Sequence, residues 1–173
     1  DSHHSITYML FRSALTSTPA LFMRATICGH SFSRNLVRWG TGELGNNGVH
    51  ALDLARWGLG VDLPNRITCG GGRYHYPDEW ETPDTIVATF DFGEKGIAWE
   101  GRSCDPRGIE GSGLGVTFFG SEGSLVLTNT SATIYDFNQN PVREIKGDRS
   151  LFAYDAAHFR NFIDGIRAGA KLA

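Results

Sequence analysis

Seven short runs rich in β-branched and aromatic residues constrain this chain more than any other feature of its sequence. Glycine-bearing connections of hairpin length, at 92–96 and 120–123, join two pairs of these runs. Parallel neighbours need a crossover of a dozen or more residues, usually a helix, and no such periodic segment lies between the runs. A mainly antiparallel sheet is therefore predicted, with strands at 66–72, 85–92, 96–102, 115–119, 124–128, 133–137 and 142–146.

One helix is predicted on each side of these strands. The first spans 46–57, where an Asn pair is available to cap the free N–H groups and Gly58 or Gly60 can end the helix. The second starts at Ser150 and carries apolar residues at helical spacing, namely Phe152, Ala156, Phe159, Ile163 and Ile166. The predicted fold class is α+β: an open, mainly antiparallel sheet of about six or seven strands with helices on one face.

The N-terminal part of the chain differs in composition from the rest. No acidic residue occurs between Ser2 and Gly42. Residues 1–38 are an unexplained segment, which a targeting piece, an extension or a remnant of a missing part would account for equally. A strand at 5–11 is compatible with the alternation there. Since 173 residues suit one domain of ordinary size, 39–173 is predicted to be that domain.

Charge and cysteine content exclude several classes of protein. A net charge of -3 gives no electrostatic reason to bind nucleic acid or an anionic membrane. No apolar run approaches the roughly 18 residues of a membrane span, so a soluble protein is expected, with the cytoplasm favoured over export and the compartment otherwise unknown. Cys28, Cys69 and Cys104 are widely spaced, which excludes a disulfide framework or zinc ribbon and predicts buried or half-buried thiols.

A polar stripe on the first helix is the best candidate for chemistry. At about 100° per residue, one side carries small and apolar residues and the other carries Glu43, Asn46, Asn47, His50 and Asp53. An imidazole that its neighbours orient can transfer protons near neutral pH. The alternative from the residues alone is a capped core histidine, with Asp53 paired to Arg56 or to a strand residue. A metal site formed by His50, Asp53 and His75 is not favoured, because nothing fixes their separation.

Two further features of the sequence could belong to a ligand-binding site or be purely structural. The segment 40–45 fits G-x-G-x-x-G and Asp62 follows about twenty residues later, the spacing of a dinucleotide fingerprint. We expect no cofactor site there, because 33–38 is too polar for a buried strand and a meander follows. Trp80, Tyr74 and Tyr76 lie in one loop, where they either stack on a sugar ring or pack beneath the loop.

The polar helix also carries a motif that resembles a known family. Residues 42–53, GELGNNGVHALD, are similar to G-x-x-x-D-x-G-x-H-x-x-D, the C-terminal-domain motif of the glucose-fructose oxidoreductase and inositol dehydrogenase family (Gfo/Idh/MocA). Also similar to one branch of that family are Gly71-Gly-Arg-Tyr74, Glu81-Thr-Pro-Asp84, Trp99-Glu-Gly-Arg102, Gly120-Ser-Glu-Gly123 and His158-Phe-Arg-Asn-Phe-Ile-Asp164. The resemblance extends over about 39–173.

The resemblance implies the C-terminal half of a two-domain NAD(P)-dependent oxidoreductase, without its Rossmann domain. His50 matches the histidine that transfers a proton at the substrate oxygen. Glu43, Asn46, Asn47, Asp53, Arg73 and Tyr74 are the expected substrate-binding residues. Asn46 stands where the commonest form of the motif has Asp, and an amide can position a hydroxyl but cannot take its proton.

The expected function is therefore a substrate-binding and oligomerisation domain. The parent enzyme would transfer a hydride between NAD or NADP and a sugar, cyclitol or polyol, and this chain alone is expected to be inactive. No cofactor and no metal are expected for it. A homodimer or larger assembly through the open sheet face is expected, because the family assembles through this domain. The alternative function is a stand-alone, non-catalytic module for assembly or carbohydrate binding.

Overall fold

The described residues form one sheet of eight strands, which are numbered β1 to β8 in chain order and arranged as β2-β3-β4-β1-β5-β6-β7-β8. The computed structural model describes residues 23–27, 40–75, 79–103, 108–147 and 151–169, except for the side chains of 23–27, 151–155 and 157. The strands are β1 (Met23–Ile27), β2 (Arg66–Gly72), β3 (Thr85–Asp91), β4 (Gly96–Arg102), β5 (Leu114–Gly120), β6 (Gly123–Thr128), β7 (Ser131–Tyr135) and β8 (Pro141–Lys146). The seven predicted strands are confirmed, with end points that shift by a few residues.

Strand β1 joins two antiparallel meanders into one sheet. It pairs in parallel with β4, where Arg24 lies opposite Ala98, and antiparallel with β5, where Arg24 lies opposite Thr117. The other pairs, from β2 to β4 and from β5 to β8, are all antiparallel. The mainly antiparallel sheet is thus confirmed. β1 comes from the segment 1–38 that the sequence leaves unexplained, and the strand expected at 5–11 lies outside the described residues.

The predicted first helix has a more complex start than its sequence indicates. A π-helical turn spans Leu44–Gly48, and helix α1 follows at Val49–Leu59. The Asn pair therefore lies inside the π-helical turn and not at an N-cap position, where Glu43 and Gly48 stand instead, which corrects the capping prediction. Gly60 ends α1 as predicted, because its left-handed backbone (φ 63°, ψ 42°) directs its N–H to the carbonyls of Arg56 and Trp57.

The small-residue side of α1 packs on the centre of the sheet, as the helical spacing predicted. Ala51, Ala55 and Leu59 are almost completely buried there. Their small side chains let the helix approach β4, β1 and β5 closely. On the strands, the same core contains Ala88, Ile97, Trp99, Val116 and Phe118. The second side of the sheet, which carries Val87 and Thr89, is called the open face below.

The second helix is present but does not cover the sheet as predicted. Helix α2 spans Leu151–Ala168, close to the expected bounds. Among its residues whose burial the structure describes, only Gly165 is buried, and every residue there that carries a side chain is exposed. Its apolar residues remain largely in solvent, with Phe159 at 66% and Ile166 at 61% exposure. Helical spacing therefore predicts correctly that α2 has apolar residues along one side, but it does not predict what that side packs against. No helix of the described part of the chain is both long and apolar enough to cross a membrane.

Cys69 differs from the expectation of a buried thiol, because its side chain is exposed. It lies on β2, the edge strand of the sheet, opposite Ala88 of β3. Helix α1 packs on β4, β1 and β5 and leaves this edge uncovered. Cys28 and Cys104 lie outside the described residues.

Candidate functional site

The π-helical turn is the first part of the candidate site. π-Helical turns are rare and occur frequently at functional sites. This one contains Asn46 and Asn47 and leads directly into the first turn of α1, which carries His50. Gly48 is buried, and a Cβ added there would lie 3.2 Å from Cε2 of Trp99. Glycine at this position therefore lets the turn lie directly on the core tryptophan.

Glu43 anchors this turn from within the protein. Its side chain is almost completely buried, with the residue 3% exposed. The side-chain amide of Asn47 donates a 2.6 Å hydrogen bond from Nδ2 to Oε1 of Glu43. A buried carboxylate needs such donors, because an unpaired buried charge is costly. Glu43 therefore orients Asn47 rather than lining an open cleft.

His50 and Asp53 lie on the solvent-accessible side of α1. Both are exposed, so His50 is not a core histidine. Within the described part of the chain, neither side chain has a hydrogen bond or an ion pair. Arg56, the alternative partner considered for Asp53, instead bonds Asp62 through Nε to the carbonyl at 2.8 Å and through Nη2 to Oδ1 at 3.0 Å. The imidazole is thus accessible to a ligand.

Asp84 organises the connection between β2 and β3. Its side chain is 0% exposed. Oδ2 accepts hydrogen bonds from the backbone N–H groups of Tyr74 and His75, both at 3.0 Å, and Oδ1 accepts one from Thr85 Oγ1 at 2.9 Å. The carbonyl of Asp84 also accepts the N–H of Ser103 at 2.9 Å. This one residue therefore ties the ends of β2, β3 and β4 together.

Arg73, Tyr74 and Trp80 surround this buried carboxylate in different ways. Arg73 Nε lies 3.7 Å from Asp84 Oδ2, and its guanidinium carbon lies 5.9 Å from the centre of the Trp80 ring. Trp80 is only 7% exposed, whereas Tyr74 is 75% exposed. Of the two alternatives for the loop, Trp80 is thus a packing residue and Tyr74 is available to a ligand. Tyr76 lies outside the described residues.

The two parts of the candidate site are adjacent. A Cβ added at Gly42 would lie 3.2 Å from Cβ of Thr82, so the residue before Glu43 contacts the β2–β3 connection. Gly42 also has a left-handed backbone (φ 70°), which favours glycine. The residue before Glu43 therefore lies next to Thr82, which belongs to the same connection as Arg73 and Tyr74.

Asp84 is the residue of this region that no sequence argument assigned to the site. The available signal was an acidic residue immediately before a predicted strand, within one of the quoted family-like motifs. Such a residue is usually solvent-exposed. Its burial depends on the fold of the connection over it, which no local pattern reports.

The described residues do not fit a dinucleotide at the G-x-G-x-x-G motif of 40–45. A dinucleotide unit places neighbouring parallel strands on both sides of such a motif. Here β1 and β2 flank it in sequence but are separated in the sheet by β4 and β3. Asp62, the candidate for binding the ribose, instead pairs with Arg56. The described residues contain no group of three or more His, Cys, Asp or Glu side chains close enough to hold a metal ion. His50, Asp53 and His75 therefore do not form one.

Comparison with known proteins shows the fold of the chain. No family model matches the sequence, and no curated protein matches it. The structure resembles levoglucosan dehydrogenase in complex with NADH and levoglucosan (TM-score 0.72, 12% identity), with 96% of this chain and 54% of that one covered.

Two further structures also resemble this chain. GenD2 from gentamicin A biosynthesis, in complex with NAD, has a TM-score of 0.67 and 16% identity, with 99% of this chain and 52% of that one covered. A super-repressor mutant of Gal80p from Saccharomyces cerevisiae has a TM-score of 0.62 and 10% identity, with 86% and 44% covered. The chain spans about half the length of these proteins. It therefore shares its fold with about half of each of these proteins, which include a dehydrogenase in complex with NADH and a super-repressor mutant of Gal80p.

Proposed function

We propose that this chain is the substrate-binding and assembly domain of an NAD(P)-dependent oxidoreductase of the Gfo/Idh/MocA family. The parent protein would act on a sugar, cyclitol or polyol by hydride transfer. The observation that carries the proposal is the match, over 96% of the chain, to a dehydrogenase in complex with NADH and a sugar. The motif of 42–53 independently supports the same family, since it forms the π-helical turn and the start of α1.

His50 is the proposed acid/base group. It is exposed at the start of α1, where a substrate hydroxyl or carbonyl oxygen can reach its imidazole. In the oxidative direction the imidazole accepts the hydroxyl proton, and in the reductive direction it returns a proton to the carbonyl oxygen. The bound dinucleotide supplies hydride acceptor or donor chemistry.

The asparagines of the π-helical turn are the proposed positioning groups for the substrate. An amide offers both donors and an acceptor, so Asn46 can bind a hydroxyl that His50 deprotonates. Asn47 is held by Glu43 through the 2.6 Å hydrogen bond, which limits the rotation of its amide. Asp53, one turn further along α1, extends the same polar side as an acceptor for a second hydroxyl.

Arg73 and Tyr74 are the further proposed substrate contacts, from the connection between β2 and β3. Arg73 is partly exposed, and its donors suit hydroxyl oxygens. Tyr74 exposes most of its ring, and a ring of this kind can pack on the apolar side of a sugar. Both belong to the connection that contacts Gly42.

The cofactor would have to be held by another part of a longer protein, because the described residues do not fit it at 40–45. We therefore expect no turnover by this chain alone. The open face of the sheet would form the contact between subunits, since it carries exposed Val87 and Phe119.

The test is expression of the complete reading frame that contains this chain. NAD⁺ or NADP⁺ reduction is then measured with levoglucosan, glucose, myo-inositol and other neutral polyols. The proposal predicts turnover of at least one of them by the longer protein. If the complete reading frame ends at this chain, or if no polyol is oxidised by a longer product that binds NAD⁺, the oxidoreductase proposal is wrong.

A non-catalytic, carbohydrate-binding module is the second candidate, and one feature of the open face favours it. A groove of about 570 Å³ lies there, and its lining includes Glu110, Ser112, Tyr135 and Glu144. Carboxylates and hydroxyls are suitable partners for sugar hydroxyls. Glu110 adopts a left-handed backbone (φ 51°), and Gly111 follows at 74°. The turn therefore keeps a glutamate at a position that favours Asn, Asp or Gly.

The replacement Glu110→Asn separates the two candidates. Asn suits the left-handed backbone and removes the groove carboxylate. If the groove binds sugar, the variant binds a glycan array more weakly than the wild type, while Glu94→Gln on an exposed turn has no effect. Equal glycan binding by the wild type and both variants would show that the groove does not bind sugar.

A further inference from the structure

We propose that the edge strand β2 pairs antiparallel with β2 of a second copy of this chain, with Cys69 of both copies at the two-fold axis. This contact lies outside the candidate site and is separate from the open face, so it goes beyond the proposed function. It would join two eight-stranded sheets along one edge.

β2 has a free edge that is suited to pairing. It is the outermost strand at one end of the sheet and pairs with β3 in a regular register, from Arg66 opposite Asp91 to Gly72 opposite Thr85. Six of its seven residues are exposed. Alternate residues of an edge strand direct their N–H and C=O groups away from the sheet. The free side of β2 can therefore accept a further strand along its whole length.

The opposite edge strand, β8, carries features that prevent such pairing, and β2 does not. β8 begins at a proline and has charges at three of its six positions, namely Arg143, Glu144 and Lys146. Its register with β7 also shifts, between Ile134 and Tyr135. Proline, charged side chains and irregular register all protect sheet edges. β2 has no proline, and its one charged residue, Arg66, lies at its first position and bonds Asp91 at 3.2 Å.

The side chains of β2 complement those of a second β2. Its sequence, RITCGGG, has side chains in the first half and glycines in the last three positions. Cys69 is the central residue, so pairing around it includes all seven residues. Thr68 then lies opposite the partner's Gly70, and Ile67 opposite the partner's Gly71. A Cβ added at Gly70 would meet nothing within 4 Å, which leaves space for a neighbouring side chain.

The charges near β2 agree with this register. The Arg66 side chains of the two copies would lie at opposite ends of the strand pair, about 20 Å apart at roughly 3.4 Å per residue. This separation exceeds the Debye length of about 8 Å at physiological ionic strength, so their repulsion is screened. Each Arg66 instead lies at the end where the partner's connection from β2 to β3 leaves the sheet. That connection carries Glu79 and Glu81, which are both exposed.

Helix α1 leaves room for a second copy at this edge. It packs on β4, β1 and β5 and leaves β2 and β3 uncovered. In the joined sheet the two β4 strands would lie about 24 Å apart, since neighbouring strands are about 4.8 Å apart, whereas a helix is only about 10–12 Å wide. The two-fold axis uses both free β2 edges, so the assembly closes as a dimer and does not grow into a fibre.

Cys69 can report this contact directly. Its side chain is exposed. Opposite residues of antiparallel strands have Cα atoms about 4.5–5.5 Å apart, which lies within the range of about 4.4–6.8 Å that a disulfide requires. In the dimer, the Cys69 thiol and the thiol of the partner's Cys69 can therefore form one S–S bond. The added oxidant diamide takes up the two protons and two electrons that the thiols lose.

The first experiment measures association of the full chain by sedimentation. All samples carry Phe119→Glu, which blocks the open face, and are studied at about 0.5 mM, since a contact below about 1,200 Å² is weak. We expect a dimer. Cys69→Lys places two like charges opposite each other and should raise the dissociation constant at least about fivefold. Val142→Lys is the matched control, because Val142 is an exposed apolar residue of the other edge strand, and it should change nothing.

The sedimentation result decides between the β2 edge and other surfaces. Association that Cys69→Lys weakens and Val142→Lys leaves unchanged supports the proposal. A monomer at this concentration overturns it and leaves the edge to solvent or to another segment of a longer protein. Equal association of the two lysine variants also overturns it, because the contact would then belong to another surface. Turnover is not measured, so failure here does not affect the proposed oxidoreductase function.

The second experiment tests the register. The Phe119→Glu chain is treated with diamide, and peptide mass spectrometry identifies the cross-linked cysteines. We expect the disulfide between two copies of Cys69 to predominate. A control chain that also carries Cys69→Ser and Val142→Cys moves the thiol to the β8 edge and should cross-link at position 142 several times more slowly. Equal rates at positions 69 and 142 would indicate random collision and overturn the proposed register. Cys69→Ser alone should still sediment as a dimer, since the strand pairing does not need the disulfide.

Discussion

The side-chain amide of Asn47 donates a 2.6 Å hydrogen bond to the carboxylate of Glu43, which is almost completely buried. The two residues are four apart and lie on the two sides of the start of the π-helical turn. The position of an accessible amide in the candidate site thus depends on an acid that solvent does not reach.

Replacing Glu43 should therefore destabilise the protein. Glu43→Ala removes a charged acceptor from a buried site, and we expect the free energy of unfolding to fall by about 1.5–3 kcal/mol. Urea unfolding with an unchanged m-value measures this loss. Glu94→Ala, at an exposed position of the β3–β4 turn, is the control and should stay within about 0.5 kcal/mol of wild type. Equal stability of both variants would mean that Glu43 does not anchor the turn.

Replacing His50 should affect catalysis and leave stability unchanged. In the longer protein, His50→Ala should lower kcat by roughly 10²- to 10⁴-fold, the usual contribution of a positioned acid/base group. Its melting temperature should stay near that of wild type, because the residue is exposed. His158→Ala, another exposed histidine, should retain full activity. A stable, fully active His50→Ala would remove this residue from the mechanism.

The isolated chain should bind dinucleotides only weakly. The strands around 40–45 are not neighbours in the sheet, and Asp62 is already paired with Arg56. Titration calorimetry with NADH and NADPH should give dissociation constants weaker than about 1 mM, that is, binding free energies smaller than about 4 kcal/mol. A micromolar constant that Asp62→Ala abolishes would show that the glycine motif binds a cofactor.

Asp136 should make the β7–β8 turn sensitive to acid. The pKa of Asp136 lies below its usual value, chiefly because the carboxylate accepts the backbone N–H of Asn140, and also because it accepts that residue's side-chain amide. A lowered folded-state pKa means that the stabilisation is present above the unfolded value of about 3.9 and is lost as pH falls through the folded value.

The test compares urea unfolding of wild type and Asp136→Ala at pH 7 and at about pH 2, below the usual pKa of Asp. The variant should be less stable at pH 7, and the difference should shrink in acid, because the stabilisation is lost as the pH falls below the unfolded-state pKa and towards the lowered folded-state pKa of Asp136. An equal difference at both pH values would show that the charge of Asp136 does not contribute.

The open face of the sheet should mediate self-association. Val87 is 48% and Phe119 43% exposed there, and exposed apolar residues of this kind often mark protein interfaces. Sedimentation at micromolar concentration should show at least a dimer, and Val87→Glu should shift it to monomer. Leu63→Glu, at an exposed apolar residue outside the sheet, is the control. A wild-type monomer of 18.9 kDa would contradict the assembly role.

The antiparallel meanders could be predicted from the sequence because strand alternation and turn residues are features of neighbouring residues. Consecutive strands such as β3 and β4 pair through a short connection, so alternation and turn residues define both the strands and their antiparallel partners. The face of each strand was predictable for the same reason. Ala88 and Trp99 lie opposite each other on the side that α1 covers, as the period of two requires. The small residues of α1 that contact them follow equally from helical periodicity.

The centre of the sheet and the interior of the candidate site depend on contacts between distant segments. β1 becomes a strand because it pairs with β4 and β5, which follow it by some seventy to ninety residues. The π-helical turn rests on Trp99 through Gly48, and the Asp84 carboxylate is buried because the connection at 73–75 folds over it. Local sequence patterns report secondary-structure propensity and periodicity. Burial and the register of strand pairing depend on how residues that are distant in the sequence pack together. For that reason the sequence predicts the helix that carries His50, and only the folded chain shows that Glu43 and Asp84 are buried acids.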